Sequence, residues 1–213
     1  MLEVITGPMF SGKSEELIRR LKRSFIAGQN VQVFKPQIDT RYGLEYITSH
    51  DGRSLEAIPV VNSKDILRYL YRNADVVGID EIQFLDEEAL DIVNNLVAKK
   101  IRVLVSCLSM DFRGEPFPFR NSPKTVGELF AICDQITKLT SICIQKIQTQ
   151  NGDKKICGKS AIYSQRIING EPAPYDAPTI LIAAHEAYEA RCRDHFIIPG
   201  KPVKNLSSYM LPY

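Results

Sequence analysis

The sequence has no uninterrupted apolar run of 18 residues, and its N-terminus enters a strand pattern directly, without a charged and then apolar leader. A membrane-spanning helix needs about 20 apolar residues, and a secretory signal needs such a leader, so neither is expected. The net charge is only +2, which gives no argument for a concentrated basic face of the kind that binds nucleic acid. We therefore expect a cytoplasmic protein whose partners include neither a membrane nor a nucleic acid.

Cysteine is scarce as well, with five residues and no secretory signal before them. This indicates a reducing compartment, where paired cysteines more often bind a metal ion than form disulfides. Cys107 and Cys133 lie in core-like patterns, which predict buried and inert thiols. With 44% hydrophobic and 24% charged residues, the 213-residue chain has a soluble globular composition and can hold one sizeable core plus a small appendage.

Strand and helix patterns alternate over about the first 140 residues. The run at 102–108 is apolar almost throughout, as in a parallel strand covered on both faces. The alternation predicts an α/β fold with a mostly parallel sheet, whose ligand crevice lies at the carboxyl ends of the strands. The predicted strands are 2–6, 31–35, 76–79 and 102–108. One predicted helix begins after residue 14, and three more span 64–71, 87–98 and 126–133.

The pattern changes near Lys138. The roughly 60 residues beyond it combine short strand-like pieces with polar turns, a proline-rich loop at 169–178 and clustered cysteine and histidine. Such a region has little core of its own, so we expect a metal ion to stabilise it. The predicted strands here are 142–147, 161–168 and 179–183. We divide the chain into a nucleotide-binding domain at 1–138, a metal-binding domain at 139–199 and a loose tail at 200–213.

The string GPMFSGKS at 7–14 matches the pattern G-x-x-x-x-G-K-[ST], between a strand pattern and a helix pattern. Backbone N–H groups of such a loop surround phosphates, and the helix N-terminus adds positive potential. Lys13 would reach the β- and γ-phosphates, and Ser14 would hold Mg²⁺. The sequence therefore predicts triphosphate binding by Gly7, Pro8, Met9, Phe10, Ser11, Gly12, Lys13 and Ser14.

The string VVGIDEIQF at 76–84 is a buried-strand pattern that ends in a carboxylate pair, expected on a strand adjacent to the phosphate loop. Neighbouring residues of an extended chain point to opposite sides, so we assign Asp80 to Mg²⁺ and Glu81 to the acceptor hydroxyl of a phosphoryl transfer. The alternative is a pair of solvated carboxylates that cap the next element. Asp39 and Arg41 could add metal support and a cation for the phosphate, although a surface ion pair explains them equally well.

The motifs together resemble those of the type II, or cytosolic, thymidine kinase family, in the same order over residues 1 to about 199. They read ITGPMFSGKSEELIRRLKR, FKPQIDTRY, SHDG, IDEIQF, DFRGEPF, TKLTSIC, QRIINGEPAPYD and YEARCRDHF. The resemblance implies a RecA-like P-loop domain and a small zinc-bearing domain, from which a lasso loop closes over the nucleoside. It also implies transfer of the γ-phosphate of ATP to the 5′-hydroxyl of thymidine, in nucleotide salvage for DNA synthesis. The implied cofactors are Mg²⁺ and structural Zn²⁺, in a homotetramer inhibited by dTTP.

The resemblance also implies roles for single residues. Glu81 matches the catalytic base, and Asp39 and Arg41 match a catalytic D-x-R pair. Ser164 matches the position near the thymine methyl group, where many members carry threonine, so its smaller side chain leaves room around the methyl and could weaken discrimination against deoxyuridine. Asp80, Glu81, Ile82 and Gln83 join the ATP site, with Ser14 and Asp80 at Mg²⁺. The nucleoside pocket is matched by Met9, Phe84, Leu108, Phe112, Ser164, Ile182, Ala183, Ala184 and Tyr188.

The metal site departs from the family pattern, which usually has two closely spaced ligand pairs. Cys192 and His195 form an intact second pair, but Cys143 is followed by Cys157 only after 13 residues, 144–156. An Asn-Gly dipeptide near the middle of this insert predicts a hairpin that brings its ends together. These four residues supply the donors that structural Zn²⁺ prefers. The alternative is that Cys143 and Cys157 are unpaired thiols and the site has been lost.

Three other functions remain as alternatives. A helicase also carries DEIQ-type boxes, but it needs two ATPase domains, which 213 residues cannot hold. A nucleic-acid-binding zinc module coupled to a P-loop ATPase predicts a basic, aromatic-rich C-terminal region, whereas this one has mixed charge. Another P-loop nucleoside or nucleotide kinase, such as one acting on thymidylate, would need further arginines for the acceptor phosphate, and none stands beside DEIQF.

Overall fold

A computed structural model describes residues 1–39, 46–48, 54–149, 151–179 and 188–202. Up to residue 108 the elements are β1 (Leu2–Gly7), α1 (Lys13–Ile26), β2 (Val31–Pro36), β3 (Tyr46–Thr48), β4 (Ser54–Glu56), β5 (Ile58–Val60), α2 (Lys64–Tyr69), β6 (Val76–Ile79), a 3₁₀ turn (Ile82–Phe84), α3 (Ala89–Ala98) and β7 (Arg102–Leu108). They continue with α4 (Val126–Ile132), β8 (Gln135–Lys138), β9 (Ser141–Ile142), β10 (Lys146–Gln148), β11 (Lys154–Ile156), β12 (Ser160–Ala161), β13 (Tyr163–Ile168), β14 (Glu171–Pro172), β15 (Tyr188–Arg191) and a second 3₁₀ turn (Arg193–His195).

The central sheet contains six strands within the described residues, in the order β5-β2-β6-β7-β1-β8. All of its pairings are parallel, which confirms the predicted α/β fold. The predicted bounds of β6 and β7 agree with the structure. The edge strands β5 and β8 were missed, because β8 buries few side chains and β5 has only three residues with a proline at its centre.

Helices cover both faces of the sheet. On one face α1 buries Leu17 and Leu21 against a cluster that includes Ile5 of β1 and Leu104 of β7. Gly78 of β6 permits this close packing, because a Cβ atom there would lie 2.7 Å from the Leu21 side chain. The larger cluster on the other face includes side chains of α3 and α4. None of the helices in the described ranges is both long and apolar enough to cross a membrane.

Beyond β8 the strands are short and form small separate sheets, such as the antiparallel set β14-β13-β15. The predicted strand at 142–147 is wrong as a single element. Strand β9 ends at Ile142 and β10 begins at Lys146, and the interruption contains Cys143. The backbone N–H of Cys143 donates to the carbonyl of Lys159, 2.8 Å away, and so continues the antiparallel pairing of β9 with β12, in which Ile142 lies opposite Ser160. Cys143 therefore belongs to the end of β9 and not to β10.

Candidate active site and metal centre

The loops that carry the predicted catalytic residues leave the same edge of the sheet. Gly7, the last residue of β1, pairs with Leu108 of β7, and Ile79 of β6 pairs with Val105 of the same strand. Strand β7 therefore lies between β6 and β1. The sequence analysis placed β6, which precedes Asp80, directly beside the strand of the phosphate loop, and this prediction was wrong by one strand. The parallel register nevertheless brings Asp80 within hydrogen-bonding distance of Ser14.

The phosphate loop is a tight turn between β1 and α1. Gly12 adopts the left-handed conformation, with φ 80°, immediately before the helix. Gly7 must lack a side chain, because a Cβ atom there would lie 2.6 Å from the carbonyl oxygen of Leu139. The ammonium group of Lys13 donates to the carbonyl oxygen of Pro8 at 2.8 Å, inside the loop. The loop thus holds its lysine at the centre of the backbone groups that would surround a phosphate.

Asp80 lies where the predicted Mg²⁺ ligands should meet. The hydroxyl of Ser14 is 3.1 and 3.3 Å from the two carboxylate oxygens of Asp80, and the hydroxyl of Ser106 donates to one of them. The backbone N–H of Asp80 donates to the carbonyl of Phe34 at 3.0 Å, which anchors it to β2. A hydroxyl and a carboxylate are oxygen donors of the kind that Mg²⁺ uses, so this pair fits that ion.

Glu81 has a backbone conformation that the sequence did not show. It is left-handed, with φ 48° and ψ 45°, and not extended as the sequence predicted. The side-chain amide of Gln83 donates to the Glu81 carboxylate at 2.5 Å, and its own carbonyl accepts the backbone N–H of Leu108 at 3.3 Å. Only 4% of Asp80 and 5% of Glu81 is exposed, which argues against a pair of solvated caps.

Asp39 follows β2 at the same edge of the sheet and is 6% exposed. Its carboxylate lies 3.9 Å from the ammonium group of Lys35, whose side chain is also buried. The predicted partner Arg41 lies outside the described residues. The structure therefore describes Asp39 as a buried acid beside a cation, and not as half of a surface ion pair.

The apolar residues predicted for the nucleoside pocket occupy two places. Met9 and Phe84 pack against the larger core cluster, which includes Leu108. Phe84 meets Phe117 edge to face, with ring centroids 5.8 Å apart. Phe112 belongs to a smaller cluster, against which Tyr188 packs. The predicted contacts Ile182, Ala183 and Ala184 lie outside the described residues.

Ser164 contacts the phosphate loop directly. Its hydroxyl accepts the backbone N–H of Met9 at 2.9 Å, and Ser164 itself lies on β13, paired with Ala190 of β15. The next residue of the loop, Phe10, is left-handed with φ 63° and packs against the cluster that contains Cys143. Two adjacent residues of the phosphate loop are therefore supported by the C-terminal region.

The predicted zinc ligands meet at one point. Ligand atoms of Cys143, Cys157, Cys192 and His195 all lie within 4.8 Å of one another. The Nδ1 atom of His195 is 3.4 Å from the sulfur of Cys192 and 3.6 Å from that of Cys143, and the sulfurs of Cys157 and Cys192 are 4.0 Å apart. Tetrahedral zinc places sulfur and nitrogen ligands about 3.5–3.8 Å apart, given its usual bond lengths. The donor set and its spacing fit structural zinc.

The environment of Cys143 also favours its ionised form. Burial opposes ionisation, but hydrogen bonds with the backbone of Cys192 and Gln145 and with His195 outweigh that effect and lower the pKa of the Cys143 thiol to about 6. A thiolate is the form that binds a metal ion. The thiol of Cys107 behaves oppositely, since complete burial raises its pKa to about 12, as expected of an inert thiol. Cys133 is only half-buried, so the prediction of a buried thiol was wrong there.

The insert between the first two cysteines forms the predicted hairpin. Strands β10 and β11 pair antiparallel, with Lys146 opposite Ile156. The backbone N–H of Thr149 donates to Asp153, and Gly152 is left-handed with φ 87°, so the loop is longer than a two-residue turn. At the end of the hairpin away from its turn, the backbone N–H of Cys157 donates to the carbonyl of Gln145 at 2.8 Å. The hairpin thus brings Cys143 and Cys157 together despite their separation in sequence.

Three polar residues of the site were missed from the sequence. Ser106 is fully buried in β7, where its only signal was a hydroxyl within an apolar run. Arg113 and Arg166 engage the segment that leads to Thr179, with Arg166 only 2% exposed. No sequence pattern marked either arginine, because their partners lie many residues away.

A phosphate loop between a strand and a helix, with buried carboxylates at the ends of neighbouring parallel strands, defines a P-loop nucleotide-binding protein. The family model for thymidine kinase matches residues 1–196 of the 213. The chain therefore belongs to the thymidine kinase family, as the resemblance of its motifs predicted. This membership identifies the chain as a kinase and supports thymidine phosphorylation in general.

Proposed function

We propose that this chain transfers the γ-phosphate of ATP to the 5′-hydroxyl of thymidine and releases ADP and dTMP. The observation that carries the proposal is the meeting of Ser14 and Asp80, 3.1 Å apart, beside the buried carboxylate of Glu81. A phosphoryl transfer requires little more than a charge clamp, a metal site and a base for the acceptor, aligned with one another. Lys13 would supply the charge clamp, Ser14 and Asp80 the metal site and Glu81 the base, all at the carboxyl ends of the parallel strands.

Each of these residues has one task in this reaction. Lys13 neutralises the β- and γ-phosphates, and Ser14 and Asp80 would hold Mg²⁺, which lowers the negative charge on the phosphates when it is bound. The 5′-oxygen forms a bond to the γ-phosphorus, while the bond to the bridging oxygen of ADP breaks. Glu81 takes the proton of the 5′-hydroxyl. Gln83 orients the Glu81 carboxylate through its amide.

The nucleoside would bind beside Met9, Phe84 and Leu108, with Tyr188 on the side of the C-terminal region. Acceptance of deoxyuridine is proposed as well, from the resemblance alone. Zn²⁺ at the cysteine cluster would have a structural role, in a domain proposed to span 139–199 after a kinase domain at 1–138. A homotetramer and inhibition by dTTP are proposed from the resemblance alone.

A nucleotide kinase acting on thymidylate is the second candidate. It would need cationic side chains that are available to the acceptor phosphate. Arg113 donates to the carbonyls of Tyr175 and Ala177, and Arg166 donates to the carbonyl of Thr179. Both guanidinium groups are engaged with backbone oxygens of the protein, which favours an uncharged nucleoside over a nucleotide as acceptor.

The test is a phosphorylation assay of the purified chain with ATP and Mg²⁺ against thymidine, deoxyuridine, deoxycytidine and dTMP. We expect dTMP from thymidine, a slower or comparable reaction with deoxyuridine, and no reaction with deoxycytidine. Formation of dTDP from dTMP, with no reaction of thymidine, would replace this proposal by the nucleotide kinase.

A further inference from the structure

Arg166 joins two parts of the chain that are separated in sequence. Its Nε and Nη2 atoms donate to the hydroxyl of Tyr188, at 2.9 and 2.7 Å. The Nη2 atom also donates to the carbonyl of Thr179 at 2.7 Å, and Nη1 donates to the carbonyl of Pro178. A single guanidinium group therefore holds Thr179 and Tyr188 together, although eight residues lie between them in sequence.

The same guanidinium group rests on an aromatic ring. Its carbon atom lies 4.1 Å from the centroid of the Phe112 ring, and the corresponding atom of Arg113 lies 4.5 Å from it. Cation–π contacts of this kind strengthen where water is excluded, and Phe112 is 2% exposed. The ring thus sets the plane of Arg166, and with it the position of the Tyr188 hydroxyl.

Arg113 supports the other side of the segment. It donates to the carbonyls of Tyr175 and Ala177 at 2.7 and 2.6 Å, and to the hydroxyl of Thr179 at 2.8 Å. The carboxylate of Asp111, 3.0 Å away, balances its charge and fixes its direction. Thr179 is consequently held by both arginines, through its hydroxyl and through its carbonyl.

We propose that Arg166 is a positioning residue that fixes Tyr188 and the backbone of Pro178 and Thr179 for nucleoside binding. The inference rests on the proposed function, in which Tyr188 contacts the nucleoside. A buried guanidinium is costly unless its donors are satisfied, and here they are satisfied by acceptors that only this arrangement of the chain supplies. Lysine cannot replace it, because one ammonium group cannot reproduce the planar, divergent donors of arginine.

The first measurement separates nucleoside binding from catalysis. Arg166→Lys should raise KM for thymidine roughly 10-fold or more, since it loses charge-assisted hydrogen bonds, and should change KM for ATP less than about twofold. Tyr188→Phe keeps the ring but removes the hydroxyl that accepts from Arg166, and it should also raise KM for thymidine. The double variant should be no worse than Arg166→Lys within about twofold, because both changes break one connection.

Arg102→Lys is the matched control. Arg102 is an arginine with a comparable network, donating to Glu3 and Ser24 at the opposite end of β7. The same substitution there should lower thermal stability without changing KM for either substrate. An Arg166→Lys enzyme with wild-type KM for thymidine, or with equal increases for thymidine and ATP, would overturn the inference. If Arg166→Lys does not fold, an unchanged KM in Tyr188→Phe overturns it.

A second measurement needs neither substrate nor activity. In the free protein, hydrogen exchange at the amides of Thr179 and Tyr188, the two residues that Arg166 joins, should quicken roughly 10-fold in Arg166→Lys and should stay unchanged in Arg102→Lys. Equal exchange in Arg166→Lys and wild type would overturn the positioning role. A wild-type chain that does not phosphorylate thymidine overturns the proposed function instead, and exchange then decides the role of Arg166 by itself.

Discussion

The hydroxyl of Ser106 lies 3.1 Å from the backbone nitrogen of Glu81 and accepts its N–H. The same hydroxyl donates to the carboxylate of Asp80. Glu81 is left-handed, a conformation that non-glycine residues adopt only when surrounding contacts hold it. One buried hydroxyl on β7 thus holds both acidic residues at the end of β6.

Replacing Ser106 by alanine should therefore impair both catalysis and stability. The change leaves the N–H of Glu81 and one oxygen of Asp80 without this partner, which should cost about 1–3 kcal/mol of stability. Because Glu81 would lose the contact that fixes its turn, kcat should fall roughly 10-fold or more. Ser24→Ala is the control, since Ser24 is also buried and accepts from Arg102 at 3.1 Å, far from the site. Comparable losses of kcat in both variants would show that only stability matters.

Glu81→Gln tests the catalytic base. Glutamine keeps the size of the side chain but cannot accept the proton of the 5′-hydroxyl, so kcat should fall roughly 10²–10⁴-fold, with KM for ATP retained. Lys13→Ala should behave differently and weaken triphosphate binding together with turnover. Steady-state kinetics with both substrates varied distinguishes the two. A near-normal kcat in Glu81→Gln would assign the base elsewhere.

Ser164→Ala decides between two roles of one hydroxyl. If its bond to the N–H of Met9 supports the phosphate loop, the variant should raise KM for ATP several-fold, and the ratio of thymidine to deoxyuridine turnover should not change. If the side chain instead lies against the thymine methyl group, that ratio should change at constant KM for ATP. We expect the first result, measured as kcat/KM for both nucleosides and KM for ATP.

Cys157→Ser tests the metal centre. Metal analysis of the wild-type protein should find about one zinc per chain, and the variant should lose zinc and melt at a lower temperature, because metal binding to so small a domain is folding free energy. Cys133→Ser changes the same group outside the cluster and should retain both zinc and melting temperature. A folded and active wild-type protein without bound metal would remove this site.

We expect the free energy of unfolding to depend on pH through Glu16. The hydrogen bond from Arg19 outweighs the opposing effect of burial and, together with Arg20, lowers the pKa of the Glu16 carboxyl from 4.5 to about 2. A lowered folded-state pKa stabilises the protein above the unfolded pKa, and this contribution is lost as the pH falls from 4.5 toward 2. Urea unfolding should show Glu16→Gln less stable by about 1 kcal/mol at pH 7, with the difference shrinking near pH 3. The exposed pair of Glu88 with Lys64 supplies a control, as Glu88→Gln should have little effect at either pH.

The elements that could be predicted are those whose signal lies within a short stretch of chain. The bounds of β6 and β7, the phosphate loop and the carboxylate pair follow from spacing and from apolar runs, since these patterns depend on neighbours in sequence. The zinc ligands followed from the ligand pairs that the family resemblance implies, supported by the turn signal between Cys143 and Cys157. The edge strand β5 gave no such signal, because it has only three residues and a proline at its centre.

What only the tertiary structure decided is the pairing of residues that are distant in sequence. The sequence by itself determined that Asp80 and Ser14 belong to one chemistry, but the insertion of β7 between β6 and β1 determined that Ser106 holds the acidic pair. The contact of Arg166 with Tyr188 likewise depends on the antiparallel pairing of β13 and β15. Register between strands is set by the packing of the whole core and not by either strand alone, so no local pattern could predict these contacts.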